Sequence, residues 1–175
     1  MASFFEDTFD EQGRPRPGRD PQADFAVVDV GGRTTDIATI LGGQQIDQGR
    51  SGTRNLGVLD VHDEIAERLR IEFGIEGALP GRMLDDAVRS GRVQLWGQAR
   101  DVSDLVDAVL QQHEAGLLRE LQRRLGDAAT VERVLVVGGG AHLFGRLANQ
   151  LPNAVIPDAP ETANARGLFK LHAAY

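Results

Sequence analysis

The chain has 175 residues, 41% of them apolar and 26% charged, and 26 acidic against 19 basic side chains leave a net charge of −7. That is an ordinary globular composition with apolar material for one sizeable core, and its acidity excludes a broad electrostatic grip on nucleic acid, which needs a basic face. With no cysteine there is no disulfide framework, thiolate zinc site or cysteine nucleophile, and no apolar run approaches the roughly 18 residues of a membrane span.

Residues 1–24 differ from the rest. The opening residues lack the basic start and apolar stretch of a signal peptide, so with the missing cysteines the expectation is a cytoplasmic protein. Phe4, Phe5 and Phe9 lead into a stretch with three prolines and two glycines at 13–21. Such a stretch denies both helix and central strand. The segment is expected to be a tether, or the tail of a first domain that precedes it.

From residue 25 the pattern is regular. Residues 25–30 form a nearly continuous apolar run, the mark of a strand buried on both faces. Residues 35–41 are again strand-like, Gly42-Gly43 turns the chain, and 44–49 are expected to return as a third strand, giving a β-meander. Val58, Val61, Ile65 and Leu69 recur at helical intervals, with Asn55 as the expected cap and Gly74 as the stop. A short helix follows at 80–90 and a short strand at 93–96, where Trp96 is expected in a core. The longest helix carries an apolar stripe from Val102 to Leu125, capped by Asp101 or Ser103 and ended by Gly126. A second buried strand at 134–137 runs into Gly138-Gly139-Gly140. A helix at about 141–150, a strand at 154–156 and a last helix from about 161 complete an α/β pattern: a mixed sheet with helices packed against it.

Both buried strands end in glycines. Adjacent glycines let the backbone turn sharply and approach a ligand with no Cβ in the way, and loop amides beside a helix start at Ala141 suit a phosphate. Asp29, closing the first strand, has the chemistry to hold magnesium through water or to orient an attacking water, and Thr34 adds a hydroxyl. Taken singly, each loop reads as a tight turn and Asp29 as a cap; the pair of loops on two strands of one sheet favours phosphate binding. The histidines (His62, His113, His142 and His172) are not spaced as a metal pair and are expected on the surface, and no serine has the partners of a nucleophilic triad.

Three stretches together resemble the actin-like ATPase superfamily: DVGGRTTD at 29–36 is similar to its second phosphate loop, VLVVGGGA at 134–141 to its adenosine loop, and ANARGL at 163–168 to the helix that closes the domain. SGTRNLGV at 51–58 resembles the ParM (StbA) branch. The resemblance implies an α/β, ribonuclease-H-like domain, here the second of two that clamp ATP (or GTP) and magnesium, with a small helical subdomain inserted at about 56–130. It implies Asp29 on the magnesium side, Gly31, Gly32 and Thr34 at the β- and γ-phosphates, Gly138, Gly139 and Gly140 at the adenosine and α-phosphate, and Glu67 at the ribose or adenine. On helical geometry alone Glu67 is a solvated face residue. Arg33 stands where relatives carry Gly or Thr and is expected to point to solvent. The first phosphate loop and first connecting helix of the family are not found.

The function implied is the nucleotide-binding half of an ATPase whose intact form self-associates into filaments that segregate plasmid DNA through an adaptor protein, away from membranes. Half of the phosphate contacts alone should give weak nucleotide binding and negligible turnover. Two alternatives share the loops: a sugar or acetate kinase or polyphosphate-type phosphatase, and a non-catalytic scaffold of the pilus-assembly or division-anchor kind.

Overall fold

In a computed structural model, which describes residues 2–174, the chain opens with helix α1 (Ser3–Thr8) and reaches the sheet at β1 (Phe25–Val30). A hairpin leads to β2 (Thr35–Leu41), followed by β3 (Gln45–Ile46) and β4 (Gly52–Arg54), both antiparallel to β2. The expected third strand at 44–49 is thus only two residues long; the chain turns away and returns to pair lower on β2 through β4.

Residues between β4 and the next sheet strand are mostly helical: α2 (Val58–Phe73), α3 (Gly81–Ser90), the hairpin β5 (Arg92–Leu95) and β6 (Gln98–Asp101), and α4 (Ser103–Leu125). Then come β7 (Arg133–Val137), a 3-10 turn at Ala141–Phe144, α5 (Gly145–Ala148), β8 (Ala154–Val155), and α6 (Ala163–Ala174) after a second 3-10 turn. The main sheet has the order β3-β2-β1-β7-β8, with β1, β7 and β8 parallel.

Alternation along β1 and β7 sorts the core onto two faces, as the two-residue strand period requires. Ala26, Val28, Val30, Val134 and Val136 share one buried cluster with Val61, Ile65 and Leu69 of α2 and Leu117 and Leu121 of α4. Phe25, Val27, Leu135 and Val137 face the other way and pack with Phe4 and Ala163.

The second cluster overturns the expected tether. Phe4 is only 2% exposed. Its ring meets that of Phe25 edge-on at 4.9 Å, within the favourable range for T-shaped pairs. The prolines do exclude regular structure at 13–21, but the aromatics before them have the odd face of β1 and β7 to cover, and α1 and α6 cover it together. Arg19, between Pro17 and Pro21, returns to Asp7 at 2.9 Å.

Local chemistry sets the element ends. Asn55 does not cap α2; Gly57 does, its amide donating to Asp60 at 2.8 Å. Asp101 accepts from the Ser103 amide at 3.0 Å and starts α4. Trp96, expected in a core, is 69% exposed at the β5–β6 turn, because Trp96 and Gly97 (φ +50° and +75°) are its two central residues. His62, expected on the surface, is buried beside Asp85 at 3.5 Å. Among the described residues no helix is long and apolar enough to cross a membrane.

Candidate functional site: two glycine loops around Asp29

Asp29 and Val137 are register partners on adjacent parallel strands. The loops that follow them therefore leave the sheet side by side at its carboxyl edge, where open α/β sheets bind ligands. The amide of Gly140 donates to the carbonyl of Val30 at 3.0 Å and ties the two loops together.

Within each loop the glycines divide the work. A methyl on Gly138, which has φ +90°, would overlap the Asp29 carboxylate and sit 2.5 Å from the Val30 carbonyl oxygen. One on Gly140 would lie 2.5 Å from Val30 Cγ1 and 2.8 Å from Val58 Cγ2. These two glycines let β7 close onto the end of β1, and their amides are already bonded, Gly138 to the Pro160 carbonyl and Gly140 to Val30. Gly31 is likewise committed, its amide donating to the Thr34 carbonyl at 2.8 Å to close the hairpin. Gly32 and Gly139 differ. Both are exposed, and among the described residues their amides have no acceptor. A methyl on Gly139 would meet nothing within 4 Å.

The carbonyls of Gly31 and Gly32 face inward and receive the first amides of α2, from Val58 at 3.1 Å and Leu59 at 2.8 Å. Helix α2 therefore starts directly on the first loop, and Gly57 makes the approach possible, since a Cβ there would lie 2.5 Å from the Gly32 carbonyl carbon. The helix expected to begin at Ala141 is a 3-10 turn followed by a four-residue α-helix, so the second loop has little helix dipole behind it.

Asp29 is half-buried and forms no ion pair among the described residues; its Oδ2 accepts from the Asn164 side-chain amide at 2.7 Å. A carboxylate in that position, without a cation of its own, fits a magnesium ion held through one carboxylate and water. No cluster of three or more His, Asp or Glu side chains forms an all-protein metal cage among the described residues.

Thr34 is half-buried at the far side of the hairpin turn. Arg33 does point outward, with 58% of its side chain exposed, and pairs with Asp63 at 2.6 Å on the outer face of α2. Glu67 lies one turn further along that face and pairs with Arg70. Sequence reasoning quoted Asn164 and Gly57 within motifs but gave them no role, and it passed over Glu114. Glu114, only 4% exposed on α4, is packed where α4 meets the segment after the triple glycine; burial pushes its carboxyl above the ordinary range, against the pull of Arg146 and the amides of Arg146 and Leu147.

A family model described as archaeal actin homologue MreB-like, C-terminal, matches residues 27–149. Among solved structures the chain is similar to the archaeal actin homolog Ta0583 in complex with ADP (24% identity over 87% of this chain and 50% of that one, TM-score 0.73). It is similar to a protomer of a 15-stranded ParM filament from Clostridium botulinum (20% identity, 88% and 46%, TM-score 0.75), and to apo psk41 ParM (19% identity, 98% and 46%, TM-score 0.75). At these identities the likeness establishes an actin-type fold, and the chain spans about half the length of the structures it matches. No curated protein matches this sequence.

Proposed function

Because the chain belongs to the C-terminal-domain family of MreB-like archaeal actin homologues, we propose that it supplies one wall of the nucleotide site of an actin-type ATPase that assembles into filaments. The observation that carries this reading is the pair of glycine loops at one sheet edge, flanking a half-buried carboxylate with no ion-pair partner among the described residues. That Ta0583 was solved with ADP, and that ParM protomers build a filament, supports the same assignment.

Each residue then has a distinct part. The outward amides of Gly32 and Gly139 bind phosphate oxygens, and Thr34 adds a hydroxyl donor on the first loop. Gly31, Gly138 and Gly140 contribute shape, bringing backbone close to the ligand while their amides hold the loops. Asp29 holds the metal side through water and orients a water toward the terminal phosphate. Magnesium, when bound, neutralises charge on the phosphate oxygens. Glu67 lies at the ribose or adenine and gives up Arg70 to do so. The residues at about 56–130 act as the inserted helical subdomain over the nucleotide. In the intact assembly ATP is the substrate, the filament contact is head-to-tail and non-closing, and DNA is reached through an adaptor.

A nitrogen-15 NMR titration of this chain with magnesium-ATP suits the weak affinity expected of half a clamp. The amides of Asp29, Gly32, Thr34 and Gly139 should shift together and saturate. A saturating pattern elsewhere in the fold, with these four unmoved, overturns the reading.

A further inference from the structure

Asn164, at the start of α6, stands between two elements that are distant in sequence. Its Nδ2 donates to Asp29 Oδ2 at 2.7 Å, and its Oδ1 accepts from the amide of Ser3, the first residue of α1, at 3.1 Å. A side-chain amide offers donors at one end and an acceptor at the other. Only one orientation satisfies both neighbours, because the reverse would set its oxygen against a carboxylate and its hydrogens against an N–H. Glutamine is too long for this gap, aspartate brings a second negative charge, and serine is too short to reach both sides.

The rest of α1 is held on the same face of α6, at residues 164, 167 and 170. Gly167 lets the Ala2 carbonyl lie flat on α6, where a methyl would overlap it. Lys170 donates to the Glu6 carbonyl at 3.1 Å and pairs with its carboxylate at 2.6 Å. Arg166 reaches the same carboxylate at 3.0 Å. Asn164 is thus a contact of the α1–α6 interface that also touches the loop site.

We propose that Asn164 is a positioning residue that fixes the Asp29 carboxylate and couples it to the docking of α1 on α6. A ligand that turns or engages Oδ2 must strain the bond to Asn164, and Asn164 can follow only by straining the bond to Ser3. Docking of α1 and occupancy on the Asp29 side therefore bias each other, and linkage makes the bias reciprocal. The relay itself needs no ligand to exist; its consequence for nucleotide binding rests on the function proposed above.

The test has a ligand-free arm and a ligand arm. In the 175-residue chain without nucleotide, Asp29→Ala should raise the exchange rate of the Ser3 amide about tenfold, the effect of one lost hydrogen bond's worth of restraint. The amides of β7 should stay protected, showing that the sheet is intact. An unchanged Ser3 rate in that variant overturns the relay, whatever the chain does with nucleotide.

In the ligand arm, the ratio of nucleotide affinity with magnesium to that with chelator is measured for Asn164→Ala and Gly167→Ala. Both should lower the ratio at least threefold while the chelator affinity stays within twofold. A purely structural role would lower both affinities together and leave the ratio as it was, which overturns the positioning assignment. Gly167→Ala acts from the α1 side and touches nothing in the loops, so its effect on the ratio is the direct sign of coupling. If the unaltered chain shows no magnesium-dependent nucleotide binding, the nucleotide reading falls, and the exchange rate of Ser3 in Asp29→Ala alone decides the relay.

Discussion

Gly138 is the floor beneath Asp29: its Cα lies so close to the carboxylate that a side chain of any size at 138 would displace it. Its neighbour Gly139 faces open space. The two substitutions should therefore separate. Gly138→Ala must adopt φ near +90° and move Asp29, and should cost about 2 kcal/mol or more in denaturant unfolding. Gly139→Ala should change stability by less than about 0.5 kcal/mol yet weaken nucleotide binding by screening an outward amide. Equal stability losses would mean that the loop does not close onto β1 as described.

Phe4→Ala should destabilise the chain by about 3 kcal/mol, the usual cost of emptying a buried aromatic site, since Phe4 is among the largest fully packed side chains on the odd face of the sheet. Urea unfolding measures it. A loss below about 0.5 kcal/mol would return residues 1–24 to the status of a tether.

Acid should release α1 before the sheet unfolds. Burial disfavours the charged form of Glu6, but the hydrogen bonds and charges of Lys170 and Arg166 outweigh it and hold the carboxyl below its ordinary value of 4.5. A carboxyl lowered in the folded state stabilises fully above its unfolded value and loses that contribution as pH falls through the folded one. Amide exchange in α1 should accordingly rise below about pH 4 while β7 stays protected. Simultaneous loss of both would show that Glu6 is not the local clamp.

Glu114 runs the other way. With its carboxyl raised by burial, its favourable contribution is complete below 4.5 and is lost as pH rises through the folded value. Among the described residues its buried Oε1 lacks a hydrogen-bond partner. Glu114→Gln should raise stability by about 1 kcal/mol at pH 7, with the advantage shrinking toward pH 4. A variant less stable than the parent at both pH values would contradict this.

Trp96→Asn should stabilise the β5–β6 hairpin by about 1 kcal/mol, because Asn-Gly is the preferred pair where both central residues have positive φ. The unaltered chain, which has one tryptophan, should show the fluorescence of a hydrated indole. A blue-shifted spectrum would place the ring in contact with something else.

Much of the sheet and its two loops was legible because β1 and β7 are written as unbroken apolar runs ending in glycines, and α4 as a long stripe between a capping Asp101 and a stopping Gly126. What was not legible depends on partners far away in the chain. Phe4 gives no local sign that Phe25 waits for it, since proline and glycine between them break every periodic pattern. Trp96 looks like core by hydrophobicity, yet the turn chemistry of the residue pair with Gly97 decides its place. At the candidate site, glycine positions were readable, but which amides stay outward was not: that follows from the Gly140–Val30 and Gly31–Thr34 bonds, made only once the strands pair. Asn164 was invisible as a partner of Asp29 for the same reason.

The parallel pairing of β1 with β7 joins Phe25 to Arg133, and α1 rests on a helix at the opposite end of the sequence. Loop-closure entropy must be met before such pairings are rewarded. During synthesis on the ribosome, then, the hairpin of β1 and β2 can form early, but its central neighbour emerges only after the whole helical insertion. The Asp29 carboxylate gains its partner from α6 later still, so the candidate site matures after the hairpin that carries it.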